Sequence, residues 1–160
     1  MSAATRPRRS DETDGLDYYF MSLDEFHKKI QNNEFIEWEM VYEGKYYGTL
    51  KTELQRIKDL GKIPILDIDV KGAIHVQQQY EERSLSIFVQ PPSIEELRRR
   101  LEIRATESPE ALQDRLNKAA YEISFRHHFD KIITNDNLDK ACHEAGVIIS
   151  ELFKEEGILR

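Results

Sequence analysis

Apolar residues recur at helical spacing in five stretches of the chain. Leu23, Phe26 and Ile30 follow Ser22, and Glu25 completes the Ser-x-x-Glu pattern of a capping box. We therefore predict a helix that begins after Ser22 and ends at Asn32-Asn33. The same signals (a capping residue, Pro at the first position, Gly after the last turn) predict further helices over residues 50–61, 93–103, 108–123 and 137–149.

Short apolar segments rich in β-branched residues lie between these helices. Such continuous runs are typical of parallel strands covered on both faces, and they occur at Ile63–Val70, Leu85–Val89 and Lys131–Thr134. Strand and helix alternate from residue 61 onwards, which predicts an open α/β sheet. The earlier region differs, because its aromatic segments and the Glu43-Gly44 turn predict a small antiparallel insert. Its predicted strands are Tyr18–Met21, Phe35–Tyr42 and Lys45–Gly48.

Length and composition narrow the class of protein. The chain has 160 residues, is 39% hydrophobic and carries a formal net charge of −7, which suits one globular domain. That charge disfavours a large nucleic-acid surface, and no apolar run reaches the roughly 18 residues needed to cross a membrane. A lone Cys142 and the lack of a signal peptide predict a cytoplasmic location.

Two carboxylates end the first predicted strand of the sheet. Asp67 and Asp69 are two residues apart, so strand geometry places both on one side, at the sheet edge where α/β proteins bind ligands. Polar residues at a strand end also occur without any function. Both interpretations stay open on spacing alone.

Other candidate residues are equally ambiguous when each is considered separately. Glu37 lies in the apolar segment Phe35–Trp38, where it either points outward from an alternating strand, the commoner case, or awaits a donor-rich ligand. Tyr47 and Thr49 share that ambiguity. Arginine suits phosphate recognition, but the arginines of the later helices are also typical of solvated faces paired with glutamates, and we favour this for Arg98 and Arg99. The spacing of the histidines and Cys142 predicts neither a zinc site nor a catalytic cysteine.

Considered together and in order, these segments resemble the guanylate kinase family along nearly the whole chain. The matching motifs are Thr5-Arg6-Pro-Arg-Arg9, Gly15-Leu-Asp-Tyr18-Tyr-Phe, Phe35-Ile-Glu37-Trp38, Tyr46-Tyr47-Gly48-Thr49, Leu66-Asp67-Ile-Asp69-Val-x-Gly72, Pro91-Pro92-Ser93-x-x-x-Leu97, Arg100-Leu101-x-x-Arg104-x-Thr106 and Thr134-Asn135-Asp136. The family phosphorylates GMP to GDP with ATP, in purine nucleotide metabolism. The resemblance implies a P-loop NTPase-like open parallel sheet flanked by helices, a GMP-binding insert at about residues 2–50 and a helical lid at about 100–126.

The resemblance also implies roles for individual residues. GMP would be bound by seven of them: Arg6, Arg9, Tyr18, Glu37, Tyr47, Thr49 and Asp69. Glu37 would accept hydrogen bonds from guanine, and Thr49 would donate one to guanine O6. Arg100, Arg104 and Arg115 would be catalytic, with Arg104 and Asn135 contacting ATP. Asp67 would help to place hydrated Mg²⁺.

One family motif is absent from the 160 residues. The glycine-rich loop that ends in Gly-Lys-Ser or Gly-Lys-Thr does not occur, because Gly61-Lys62 is followed by Ile63. We therefore expect the first strand and the P-loop of the family to be missing. Residues 1–160 would then form a single guanylate-kinase-like domain that is incomplete at its N-terminus, and Met1 would be an internal methionine. We expect this chain alone to lack activity, since that loop cradles the ATP phosphates.

An alternative function from another class stays open. A guanylate-kinase-like module without catalysis could bind a phosphopeptide or protein partner through Arg6, Arg9, Tyr18 and Tyr47. Glu37 and Thr49 favour a nucleotide, because a phosphopeptide offers no guanine to contact. Sheet edges left unpaired by the missing strand would also allow a dimer.

Overall fold

The computed structural model describes residues 1–104 and 109–155 of the chain. The architecture is mixed α/β with open sheets, as predicted. The chain divides into two compact units, Met1–Ser84 and Leu85–Arg160, and each is described by itself. Within the described ranges, no helix is both long enough and apolar enough to span a membrane.

The first unit is built on a four-stranded sheet. Its elements are β1 (Ser2–Ala4), β2 (Tyr18–Phe20), α1 (Leu23–Gln31), β3 (Phe35–Tyr42), β4 (Lys45–Leu50), α2 (Lys51–Asp59) and α3 (Val70–Tyr80), followed by a 3-10 turn at Glu81–Arg83. The strand order is β2-β1-β4-β3. β3 and β4 form an antiparallel hairpin, β4 is antiparallel to β1, and β1 is parallel to β2. The predicted antiparallel pairing is confirmed for β3 and β4, whereas β2, also predicted as a strand of the antiparallel insert, pairs in parallel with β1.

Aromatic packing between α1 and β3 forms the core of this unit. Phe26 is fully buried, and its ring stacks on that of Phe35 with centroids 4.4 Å apart. Ala3 completes the buried cluster from β1. Fully burying a Phe side chain stabilises a fold by about 1.5–3 kcal/mol, so this contact fixes the position of α1 on the sheet.

The caps predicted at Ser22, Asn137 and Gly61 are present. The hydroxyl of Ser22 accepts a hydrogen bond from the backbone N–H of Glu25 at 3.2 Å. Asn137 Oδ1 accepts one from the N–H of Lys140 at 3.1 Å. Gly61 follows α2 with a φ of +64°, the left-handed conformation that favours glycine at a helix end.

The prediction of a buried strand at Ile63–Val70 is wrong. Residues 62–69 form no strand, and none of the described strands pairs with them. Ile65 is 80% exposed, although its apolar neighbours suggested burial on both faces. A strand needs a hydrogen-bonded neighbour, and an apolar run in the sequence does not supply one. The helix α3, which follows directly, was not predicted.

In its described residues, the second unit contains a parallel pair of strands with three α-helices. Its elements are β5 (Ile87–Gln90), α4 (Ile94–Arg104), α5 (Pro109–Ser124), a 3-10 turn (Arg126–His128), β6 (Lys131–Thr134) and α6 (Leu138–Glu155). β5 pairs with β6 in parallel register from Ile87↔Lys131 to Gln90↔Thr134, as predicted. Their predicted burial on both faces is wrong: Phe88 and Ile133 are buried, whereas the adjacent Val89 and Ile132 are exposed. Residues 105–108, which include Thr106 of the predicted lid and the predicted cap Ser108, lie outside the described residues.

Candidate functional site

A cavity of about 280 Å³ opens on the sheet of the first unit. This volume is close to the lower end, about 300 Å³, of typical small-molecule sites. Its lining includes four residues of the predicted GMP site, and Asp67, the predicted metal residue. The lining residues are Ser2, Tyr18, Glu37, Glu39, Val41, Tyr47, Gly48, Asp67, Ile68 and Asp69. Residues distant in the sequence thus meet here because β2, β3 and β4 lie in one sheet and the segment before α3 ends beside it.

Glu37 is the buried carboxylate of this cavity. It is paired in register with Thr49 across β3 and β4, and the two residues are 4% and 2% exposed. Oε1 of Glu37 and Oγ1 of Thr49 are both buried without a hydrogen-bond partner among the described residues. Leaving a buried polar atom unpaired costs about 1–3 kcal/mol, so the pair is suited to a ligand that supplies donors and an acceptor.

A shift in strand register buries Glu37. Strict alternation would place it opposite to Ile36, yet Phe35, Ile36 and Glu37 are all buried. The pairing with β4 shifts register between Phe35 and Glu37, as at a β-bulge. The commoner expectation, that Glu37 points outward, is therefore wrong. Burial raises the pKa of the Glu37 carboxyl, and the nearby negative charge of Asp69 adds to the shift.

Arg6 and the aromatic residues around it form the other part of the site. The Arg6 guanidinium lies 5.1 Å from the ring centroid of Tyr18, and the Tyr18 and Tyr47 rings meet edge to face at 6.3 Å. The Arg6 side chain is 10% exposed and forms an ion pair with Glu12, which further raises its pKa. Arg9, also predicted to hold phosphate, is 68% exposed.

Asp67 and Asp69 both line the cavity, as expected, although no strand places them there, and their surroundings differ. Asp69 caps α3: its Oδ1 accepts a hydrogen bond from the N–H of Gly72 at 2.9 Å. Asp67 is exposed at the cavity. No group of three or more His, Cys, Asp or Glu side chains within residues 1–104 and 109–155 is arranged to hold a metal ion. A single carboxylate still fits hydrated Mg²⁺, which keeps several waters and takes one or two carboxylates besides phosphate oxygens.

Arg100 ties α4 to the segment after β6 in the second unit. Its Nε donates to Glu96 at 2.7 Å, and its Nη1 and Nη2 donate to the carbonyls of Asn135 and Asp136 at 2.7 and 3.2 Å. The predicted catalytic arginine thus holds the backbone of the predicted ATP-contacting Asn135. Arg115 is half-buried in α5. Arg104 ends α4, and its side chain lies outside the described part of the chain.

Sequence reasoning did not single out Glu12 or Glu53. The Arg9-x-x-Glu12 spacing is the signal that could have indicated the first. Glu53 is 3% exposed and accepts hydrogen bonds from the Tyr19 hydroxyl at 2.8 Å and from Arg56 Nε at 2.8 Å. It joins β2 to α2 through the Tyr19 hydroxyl and has no counterpart in the motifs considered above.

Comparisons with known proteins show which family the chain resembles. The family model described as guanylate kinase matches residues 1–152. A guanylate kinase of Bacteroides fragilis is 46% identical over 153 residues, covering 96% of this chain and 75% of the relative. One from Porphyromonas gingivalis is 49% identical over 138 residues, covering 86% of this chain and 73% of the relative.

A solved structure is also similar. The crystal structure of guanylate kinase from Anaplasma phagocytophilum matches with a TM-score of 0.76 at 35% identity, covering 94% of this chain and 73% of that one. The family model matches nearly the whole chain. The sequence identity to these relatives is also higher than proteins that share only a fold usually have. The chain therefore belongs to the guanylate kinase family, which is a family of phosphotransferases.

Proposed function

We propose that this chain provides the GMP site of a guanylate kinase, which transfers the terminal phosphate of ATP to GMP and releases ADP and GDP. The observation that carries the proposal is the buried pair of unpartnered atoms, Glu37 Oε1 and Thr49 Oγ1. Guanine offers N1–H and an amino group to a carboxylate, and its O6 can accept from a hydroxyl. Both atoms would then gain partners in one binding step.

The same pair would select against adenine. Adenine has no hydrogen on N1, so the Glu37 carboxylate would stay buried and unpaired in its complex. That loss corresponds to about 1–3 kcal/mol, or roughly five- to 150-fold in affinity. Asp69, which lines the same cavity, contacts the guanine side of the site in this proposal.

The phosphate of GMP would be held by Arg6 and Arg9 with the hydroxyls of Tyr18 and Tyr47. Arg6 supports this role because its planar guanidinium is oriented against the Tyr18 ring, close to the cavity. A guanidinium and phenolic hydroxyls are the donors that suit a phosphate dianion.

Charge stabilisation is the main requirement for transfer of a phosphoryl group. We propose Arg100, Arg104 and Arg115 for that role and Asn135 as a contact to ATP, although Arg100 would have to exchange its carbonyl partners to reach a phosphate. Asp67 would hold Mg²⁺ through water, and bound Mg²⁺ would neutralise phosphate charge. No general base is required, because alignment and electrostatics dominate this reaction.

The 160-residue chain should not turn over by itself. The Gly-Lys-Ser or Gly-Lys-Thr loop that cradles ATP phosphates does not occur in its sequence. Mixing the chain with ATP, Mg²⁺ and GMP should therefore give no ADP above the blank, and clear turnover would contradict this part of the proposal.

Single-domain organisation, dimer formation and cytoplasmic location remain predictions.

Calorimetric titration with GMP and AMP tests the proposed site. We expect the chain to bind GMP more tightly than AMP, and Glu37→Ala to weaken GMP binding by about tenfold or more. Glu43→Ala is the matched control, because it removes an exposed carboxylate from the β3–β4 turn. Equal affinity of Glu37→Ala and the unaltered chain for GMP would contradict the guanine site and favour the phosphopeptide-binding alternative.

A further inference from the structure

Glu12 forms an ion pair with Arg6 in which both side chains are largely shielded from solvent. Its Oε2 accepts from Arg6 Nη1 at 2.6 Å, and its Oε1 accepts from Arg6 Nη2. The two side chains are 10% and 11% exposed. This is a two-point contact between a guanidinium and a carboxylate, the geometry that most restricts the orientation of an arginine.

The same carboxylate also holds the backbone of the second predicted phosphate arginine. Oε2 of Glu12 accepts a hydrogen bond from the N–H of Arg9 at 2.9 Å, while the Arg9 guanidinium lies 3.8 Å from Oε1. One side chain therefore links both arginines of the proposed phosphate site. The Arg6 guanidinium beside it lowers the pKa of Glu12 to about 2, so Glu12 is ionised at neutral pH.

The remaining surroundings of Arg6 complete the restraint. The Phe20 ring centroid lies 5.4 Å from its guanidinium carbon, and Nη1 also donates to the carbonyl of Pro7 at 3.0 Å. Glu12 uses the Nη1–Nη2 edge of the guanidinium, and Tyr47 is a further hydrogen-bonding partner that helps to raise the pKa of Arg6. The Nε–Nη2 edge of a guanidinium can make a two-point contact with an anion, which would then share Arg6 with Tyr47.

We propose that Glu12 is a positioning residue of the phosphate site, which orients Arg6 and the backbone at Arg9 so that both meet the phosphate of GMP. This inference rests on the proposed function. A free arginine side chain has many rotamers, and Glu12 removes much of that freedom before the ligand arrives.

The positioning role and simple electrostatics predict opposite effects of removing Glu12 on GMP affinity. Glu12 places a negative charge beside the site of a dianion, so Coulomb repulsion alone predicts that its removal tightens GMP binding. If Glu12 positions Arg6, its removal weakens GMP binding, because the freed guanidinium must be ordered by the ligand. Guanosine has no phosphate, so its affinity should stay the same.

Titrations of the 160-residue chain with GMP and guanosine separate these outcomes. We expect Glu12→Gln to weaken GMP binding by about tenfold while guanosine affinity changes less than about twofold. Glu12→Asp, which keeps an ionised acceptor, should recover part of the loss. Asp11→Asn is the matched control, since it removes an exposed neighbouring charge and should not weaken GMP binding.

Three outcomes would overturn the proposal. The first is that Glu12→Gln binds GMP as tightly as the unaltered chain, or more tightly. The second is that Glu12→Gln loses affinity for GMP and for guanosine equally, which indicates general damage to the fold. The third is that Asp11→Asn loses as much affinity for GMP as Glu12→Gln does. If the unaltered chain binds no GMP, the proposed function fails, and inorganic phosphate becomes the probe. Phosphate binding that Glu12→Gln weakens would still support the positioning role, and phosphate binding that is absent or unaffected would overturn it.

Discussion

Gly72 allows the carboxylate of Glu37 to approach helix α3. A β-carbon at position 72 would lie 2.8 Å from Oε2 of Glu37 and 3.3 Å from Oδ1 of Asp69. Contacts below 3.0 Å essentially never occur for a real β-carbon, so any larger residue would have to displace a side chain of the site. The buried carboxylate of β3 and the start of α3 are thus packed together through a glycine.

Gly72→Ala should damage both stability and guanine binding. The added methyl group forces Glu37 away from its position, so we expect a loss of about 1–3 kcal/mol in the free energy of unfolding and weaker GMP binding. Gly146→Ala in α6 is the matched control, since nothing lies within 4 Å of its β-carbon position. Alanine there should stabilise the helix by about 0.5–1 kcal/mol. Urea titration and calorimetry measure both effects, and equal behaviour of the two variants would contradict the close contact at Gly72.

Guanosine affinity should depend on pH through Glu37. Burial raises the pKa of this carboxyl above its ordinary value of 4.5, and only the ionised form can accept both guanine donors. Affinity should therefore be constant above the raised pKa and fall as pH decreases through it. Guanosine is the suitable ligand, because a phosphate monoester itself titrates near pH 6. Affinity that stays constant in the unaltered chain from pH 7 down to pH 4.5, the ordinary pKa of the carboxyl, would count against this.

Glu37→Gln should stabilise the ligand-free protein at neutral pH. The pKa of Glu37 is higher in the folded state than in the unfolded state, so the folded state binds more protons between pH 4.5 and the raised pKa. The free energy of unfolding therefore falls as the pH increases through that range. Removing the charge should raise the free energy of unfolding by on the order of 1 kcal/mol at pH 7, and the gain should disappear below pH 4.5. The fluorescence of Trp38, the single tryptophan, reports this unit in urea titrations. Glu43→Gln, which removes an exposed carboxylate from the β3–β4 turn, is the matched control and should leave the stability unchanged. A destabilised Glu37→Gln would contradict the prediction.

The contribution of Glu53 to stability should decrease as the pH falls, which is the reverse of the effect of Glu37. Arg56 lowers the pKa of this carboxyl from 4.5 to about 2, with a further hydrogen bond from Tyr19. Its contribution is complete above pH 4.5 and is lost as pH falls towards 2. We expect Glu53→Gln to reduce the free energy of unfolding by about 2 kcal/mol at pH 7 and by much less at pH 3. A loss of the same size at both pH values would show that packing, not charge, is responsible.

Local signals in the sequence determined the helix ends and the family. Ser22, Asn137 and Gly61 act through atoms within a few residues of themselves, so their roles can be predicted from neighbours alone. The order of the motifs likewise needs no folded structure, and the comparisons confirmed the family that it indicated.

Tertiary contacts decided the rest. The apolar segment 62–69 forms no strand because strand formation requires a paired neighbour, which composition does not encode. Glu37 is buried because the β3–β4 register shifts beside it and a glycine in α3 makes room for it. The pairing of Arg6 with Glu12 likewise depends on how the loop between β1 and β2 folds back. The sequence by itself determined which chemical groups the site contains. Only the fold decided which of these groups are buried, paired or left to a ligand, because burial and pairing depend on contacts between distant segments.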